Sequence, residues 1–154
     1  MAGQGMNVYL FASKNVTNIW AGIGAGRWAI SERAAVLPVV QASAKRLPIG
    51  SLGLFYCTEA KGLTTPFIIL SPPDPVAVVK DIWPEPWRYP FSIRAFGTPV
   101  KILGIDQALS VLPALQKAGK SHWPRVLHFQ ATLAFQPSVL PDADWELIVR
   151  NLAT

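Results

Sequence analysis

The chain has 154 residues, a net charge of +5 and 51% hydrophobic residues, enough for one domain with its own core and too few to expect two. Only 15% of residues are charged, which excludes a disordered tail, and no apolar run reaches the roughly 20 residues that span a bilayer. The single cysteine, Cys57, excludes an internal disulfide, and the start MAGQGMN lacks a basic region followed by an apolar stretch, so the expected location is cytoplasmic.

Residues 1–6 are expected to be a flexible N-terminus or the remnant of a tag, and 7–154 a single domain. NVYLFAS, from Asn7 to Ser13, is apolar and β-rich and predicts the first strand. KNVTNIWAG predicts a short helix or turn with Asn15 or Thr17 as its cap. The glycines of WAGIGAGRWAIS come next, at Gly22, Gly24 and Gly26. A dinucleotide loop needs Gly-x-Gly-x-x-Gly between a strand and a long helix. Here the third glycine position holds Arg27, and no Lys-Ser or Lys-Thr pair follows as in a P-loop. These glycines read as a turn that presents Trp28, using positive φ and close backbone approach.

ERAAVLPVVQASAKR starts as a helix that Pro38 ends or bends. PIGSLGLFYCTE predicts a turn at Ile49 to Ser51 and then a buried strand, with Cys57 as a small buried hydrophobe. TTPFIILSPP, DPVAVVKDIW and PFSIRAFG read as three further strands. PVKIL leads into a helix over Asp106 to Leu115, with Pro113 as a kink or break. VLHFQATLAF is ambiguous between strand and helix. PDADWELIVRNL has Pro141 and acids early and Arg150 late, which predicts a terminal helix. Without βαβ alternation, the chain reads as α+β, a curled sheet or barrel with helices toward its ends.

Six tryptophans are interleaved with cations: Arg27 precedes Trp28, Arg88 lies between Trp87 and Tyr89, and Arg125 follows Trp123 by two. Cationic grooves lined with flat side chains hold single-stranded and flipped bases, and a small basic domain is predisposed to polyanions. Trp145 reads as core, and Trp20 and Trp123 read as structural. His122, His128 and one cysteine make no credible metal site. No Ser–His–Asp or paired-carboxylate arrangement stands out, and Asp142, Asp144 and Glu146 read as first-turn acids. The expectation is a non-enzyme that needs no cofactor.

VYLFASKNVTNIW, GRWAIS, PIGSLGLFYCTE, PFIILSPPD, YPFSIRAF and LPDADWELI follow one another in the order of the EVE domain, a PUA-like family related to the YTH domain. The chain resembles that family from Val8 to Leu152. Two departures are visible: Ser51 stands where an acid is common, and ERAAVLPVVQASAKRL is richer in alanine and proline than the matching family segment. The resemblance implies a PUA-like, EVE/YTH-type curled β-barrel with flanking helices, which reads a base turned out of its strand into an aromatic cage. It implies Trp28 as the first wall of that cage. It also implies Asn15 and Asn18, with Ser13 a weaker candidate, on the edge of the base. The opposite wall is expected from Trp83 or Trp87, ahead of Tyr89. Phosphate contacts are expected from Lys14, Arg27, Lys45, Arg46, Arg88, Lys120 and Arg125, provided that they share a face.

The leading expectation is a reader of methylated or hydroxymethylated cytosine or adenine in DNA. Its setting would be a modification-dependent restriction system, with a fused or associated nuclease or AAA+ motor. Two alternatives stand beside it: an RNA reader of methylated adenine, and a PUA-like module that binds a small molecule or protein. No membrane partner is expected.

Overall fold

A computed structural model describes residues 5–153, apart from the side chain of Ala131. Of the expected flexible or tag-derived segment, residues 1–4 lie outside the described residues, while Met6 already belongs to the first strand and pairs with Leu140.

Strand β1 (Met6–Ser13) runs parallel to β3 (Leu52–Cys57) and antiparallel to β8 (Ser138–Leu140). Outward from β3 come β4 (Gly62–Ile69), β6 (Trp87–Ala95) and β2 (Arg27–Ser31). The short β5 (Val78–Val79) pairs with β6, and β7 (Ile102–Gly104) with β4. β2 and β8 end the order without pairing to each other among the described residues. The mixed α+β class is as expected, but among the described residues the sheet stays open and no closed barrel forms.

Both faces of the sheet are covered, which explains why β1 and β3 read as near-continuous apolar runs. Along β1, Tyr9 and Phe11 join one core with Phe67, Phe91 and Trp28, while Val8 and Leu10 join a second with Leu54, Leu112 and Ile148. Helices α1 (Val16–Ala25), α2 (Glu32–Ala35) and α3 (Pro38–Lys45) supply buried residues to the first core. Helices α4 (Ile105–Val111), α5 (Pro113–Ala118) and α6 (Asp142–Leu152) supply the second.

Local chemistry explains most element boundaries. The Asn15 side chain accepts the Asn18 N–H at 2.9 Å and starts α1, satisfying one of the N–H groups a helix start leaves free. Gly26, at φ +68°, ends it with its N–H directed at the carbonyls of Gly22 and Ile23. The expected glycine turn therefore shrinks to Gly26, because the helix runs straight through Gly22 and Gly24. Gly22 serves close approach instead: a Cβ there would stand 2.7 Å from Cε3 of Trp28. Pro38 and Pro113 each open a new helix at its first position, where a missing N–H costs nothing. The strand expected over DPVAVVKDIW is only two residues long. The Asp74 carboxylate accepts the N–H groups of Val76 and Ala77 at 2.9 and 3.2 Å, holding that backbone in a turn.

Candidate nucleic-acid interface

β6 positions the central residue. Its pairing with β2 slips between Trp28↔Phe91 and Ile30↔Arg88, an irregularity that coincides with Tyr89 at φ +56° followed by Pro90. Bulges of this kind re-aim side chains beside functional sites. Here the slip separates Trp87, at the start of β6, from the regular ladder that continues to Ala95.

Trp87 is half-buried and borders two adjoining hollows. The first is apolar, about 110 Å³, and is lined among others by Leu10, Phe11, Trp28, Ile30, Trp87 and Phe129. The second, about 340 Å³, is lined mainly by polar side chains: Ser13, Lys14, Asn15, Asn18 and Glu85 line it with Pro84 and Trp87. Ala12 and Ser31 also border both. An indole thus stands where a greasy recess meets a hydrogen-bonding annex, the pairing a small-ligand site needs.

Three indoles form one packed group. Trp83 stacks on Trp87 at 4.3 Å and 20°, and its Nε1 donates to the Asn18 carbonyl at 2.9 Å, tying the WPEPW loop to α1. Trp28 meets Trp83 at 5.3 Å and 79°, Trp87 at 5.1 Å and 74°, and Phe55 at 4.5 Å and 64°, all edge to face. A ring sandwiched between two indoles needs about 7 Å, twice the contact distance of roughly 3.5 Å. No such slot is open among these three. Trp28, only 1% exposed, is packed inside the sheet and contributes to the wall of the apolar hollow. The indole at position 28 therefore has no open face, and Trp87, backed by Trp83, is the one of the three that borders both hollows.

Ser13, Asn15 and Asn18 border one hollow, with part of their hydrogen-bonding capacity spent. Ser13 Oγ donates to the Asn15 carbonyl at 2.7 Å. The Asn15 oxygen is committed to capping α1, which leaves its amide donors for a ligand. Asn18 lines the same annex. Tyr89 does not join them: it is buried, contacts Phe135 and borders a different hollow with Glu32 and Arg88.

The expected phosphate-contacting cations are spread over several surfaces. Lys14 lines the polar annex. Arg27 opens β2, Arg88 pairs with Glu32 at 3.5 Å, and Lys45 and Arg46 sit exposed at the end of α3. Lys120 and Arg125 flank Trp123, which packs against the second core. Among these seven, only Lys14 borders a hollow that Trp87 shares.

Phe129 and Gln130 line the apolar hollow without having been singled out from the sequence. Phe129 is held by Tyr56 at 4.3 Å and by Trp123 at 5.2 Å and 15°. The aromatic in the ambiguous VLHFQATLAF run was the one available signal. Trp123 is structural as expected, and Trp145 packs partly buried on the second core. Trp20, by contrast, is 44% exposed.

None of the groups with displaced pKa values lines either hollow beside Trp87. Burial pushes the phenols of Tyr9 and Tyr56 up, and the Asp144 carboxyl as well. No cluster of three His, Cys, Asp or Glu side chains suited to a metal exists among the described residues.

The fold and this site define an open-sheet α+β domain with an indole set between an apolar and a polar recess. The fold alone, apart from the site, is similar to that of solved YTH domains. The YTH domain of Pho92, solved in complex with m6A, superimposes with a TM-score of 0.58 at 11% identity, covering 100% of this chain and 87% of that one. The apo CPSF4 YTH domain of Toxoplasma gives 0.55 at 13% identity, covering 100% and 92%. The YTH domain of Zygosaccharomyces rouxii MRB1, solved with N6-methyladenosine RNA, gives 0.52 at 15% identity, covering 75% and 74%. No protein-family model and no curated protein matches the sequence, so the likeness is one of fold.

Proposed function

We propose that the chain is a non-catalytic reader of a methylated nucleobase, with methylated adenine in a single RNA strand as its preferred ligand. The observation that carries this reading is Trp87, half-buried between the two hollows and braced from behind by Trp83. A base turned out of its strand stacks on the free side of that indole. Leu10, Ile30 and Phe129 surround the added methyl. Asn15 and Asn18 face the polar edge, and Lys14 the adjoining phosphate. Stacking on an aromatic face contributes about 1–3 kcal/mol per base, and burying one methyl adds about 0.8 kcal/mol. The methyl alone therefore yields only several-fold preference, and stronger selection requires that no polar group in the annex is left unpaired.

RNA is favoured over DNA because two of the neighbouring folds were solved with methylated adenosine, one of them in RNA. Those likenesses lend no support to a restriction system or a fused nuclease or motor. The deciding experiment is a fluorescence-anisotropy panel of plain and methylated adenine and cytosine, in RNA and DNA, single- and double-stranded. The reading expects methylated single-stranded RNA to bind most tightly, with affinity falling steeply as salt rises. Equal binding of plain and methylated strands overturns it, and preference for modified DNA restores the DNA expectation. A salt-insensitive site would point instead to a neutral small molecule.

A further inference from the structure

A separate hollow, of about 520 Å³, lies between β1, α3 and the segment preceding β8. Its lining includes Tyr9, Ser43, Arg46, His128, Phe135 and Gln136, and no carboxylate. Ser43 is 3% exposed, and its Oγ is buried with no hydrogen-bond partner. A hydroxyl left in that state loses its hydration without compensation. Arg46, exposed at the end of α3, has no carboxylate within ion-pair distance among the described residues. Burial raises the Tyr9 phenol above its ordinary value, keeping it a hydrogen-bond donor. The ring nitrogens of His128 already face the carbonyls of Pro137 and Arg125 at 3.1 and 3.0 Å, so its role is to shape the wall.

We infer that this hollow binds a phosphate-bearing nucleotide unit, with Arg46 on the phosphate, Ser43 and Tyr9 donating to its oxygens, and Phe135 against the sugar or ring. A guanidinium beside neutral donors, with no competing acid, fits an anion rich in acceptor oxygens. Phe135 packs edge-on against Phe11 at 5.6 Å, and Phe11 lines the apolar hollow beside Trp87. The chain neighbours His128 and Phe129 likewise face one hollow each. The two sites thus share a wall, and a nucleotide can reach this one either free in solution or as part of a strand.

Amide-resolved NMR titrations of the full chain separate these cases, using adenosine 5′-monophosphate, adenosine, and an unmodified five-nucleotide adenine RNA. The expected result is saturable movement of the Ser43, Arg46 and Gln136 amides with the monophosphate or the RNA, and binding about tenfold or more weaker for adenosine. Movement with the monophosphate identifies a free nucleotide, and movement with the RNA alone identifies the strand. Arg46→Ala, at an exposed position, is expected to weaken the response about tenfold, and Ser43→Ala to weaken it further. Repeating the titration in Trp87→Ala separates this site from the base reader: a response retained there belongs to this hollow. The proposal is overturned if neither phosphate-bearing probe moves these amides, or if Arg46→Ala binds both as wild type does.

Discussion

Replacing Trp87 by alanine removes the one indole that borders both hollows. The ligand then loses a stacking face worth about 1–3 kcal/mol, which corresponds to roughly 5- to 150-fold weaker binding. The methylated strand should lose more than the plain one, because the recess that buries its methyl opens when the ring is gone. That extra loss is at most about 0.8 kcal/mol, so a several-fold preference collapses towards none. Stability should fall less than the roughly 3–5 kcal/mol of a fully buried Trp→Ala change, since the ring is only half-buried and Trp83 stays anchored to the Asn18 carbonyl. Trp87→Phe keeps a flat face and should recover part of the affinity. Anisotropy with paired methylated and plain RNA oligonucleotides, alongside thermal melts followed by circular dichroism, measures both effects. Unchanged affinity in a folded Trp87→Ala variant would refute the assignment of this indole. So would an equal loss for both oligonucleotides, since the recess would then discriminate nothing.

Four other expectations concern the scaffold. Trp28→Ala should cost about 3–5 kcal/mol, and Gly22→Ala should also destabilise, because its Cβ would press into the Trp28 ring; chemical denaturation measures both, and a stable Trp28→Ala protein would show the indole is not core. Asn15→Ala should cost about 1 kcal/mol through loss of the α1 cap and lower the melting temperature, whereas an unchanged melt would mean the Asn15–Asn18 bond contributes nothing. Asp144 is fully buried and accepts the Ala114 N–H at 2.9 Å with Oδ2, while Oδ1 has no partner. Burial raises its pKa above the ordinary 3.8, so the carboxyl contributes stability below that value that is lost as pH rises through its folded-state pKa. Relative to Asp144→Asn, the wild type should therefore weaken as pH rises from below 4, and parallel stability profiles for the two proteins would contradict this.

What the sequence by itself determined is the part of the structure that short-range chemistry writes. A cap at Asn15 or Thr17, helix breaks at Pro38 and Pro113, and strands over the apolar runs at β1, β3, β4 and β6 are all legible there, with the structure choosing Asn15 and opening new helices at both prolines. Each outcome depends on groups a few residues apart, so it is legible without knowing the fold. The sequence also marked the aromatic cluster and the Asn-bearing turn, but could not say which indole would be sealed. Trp28 and Trp87 look alike as residues flanked by arginine. Only the pairing of β2 with β6, and its slip near Tyr89, buries the first and leaves the second facing a recess. Phe129 reaches the same recess from a segment more than forty residues further along the chain, held there by contact with Tyr56 of β3. Asp144 looks like an ordinary first-turn acid until α5 packs over it. Such placements are settled by competition for buried volume among parts of the chain far apart in sequence, and no local pattern encodes the winner.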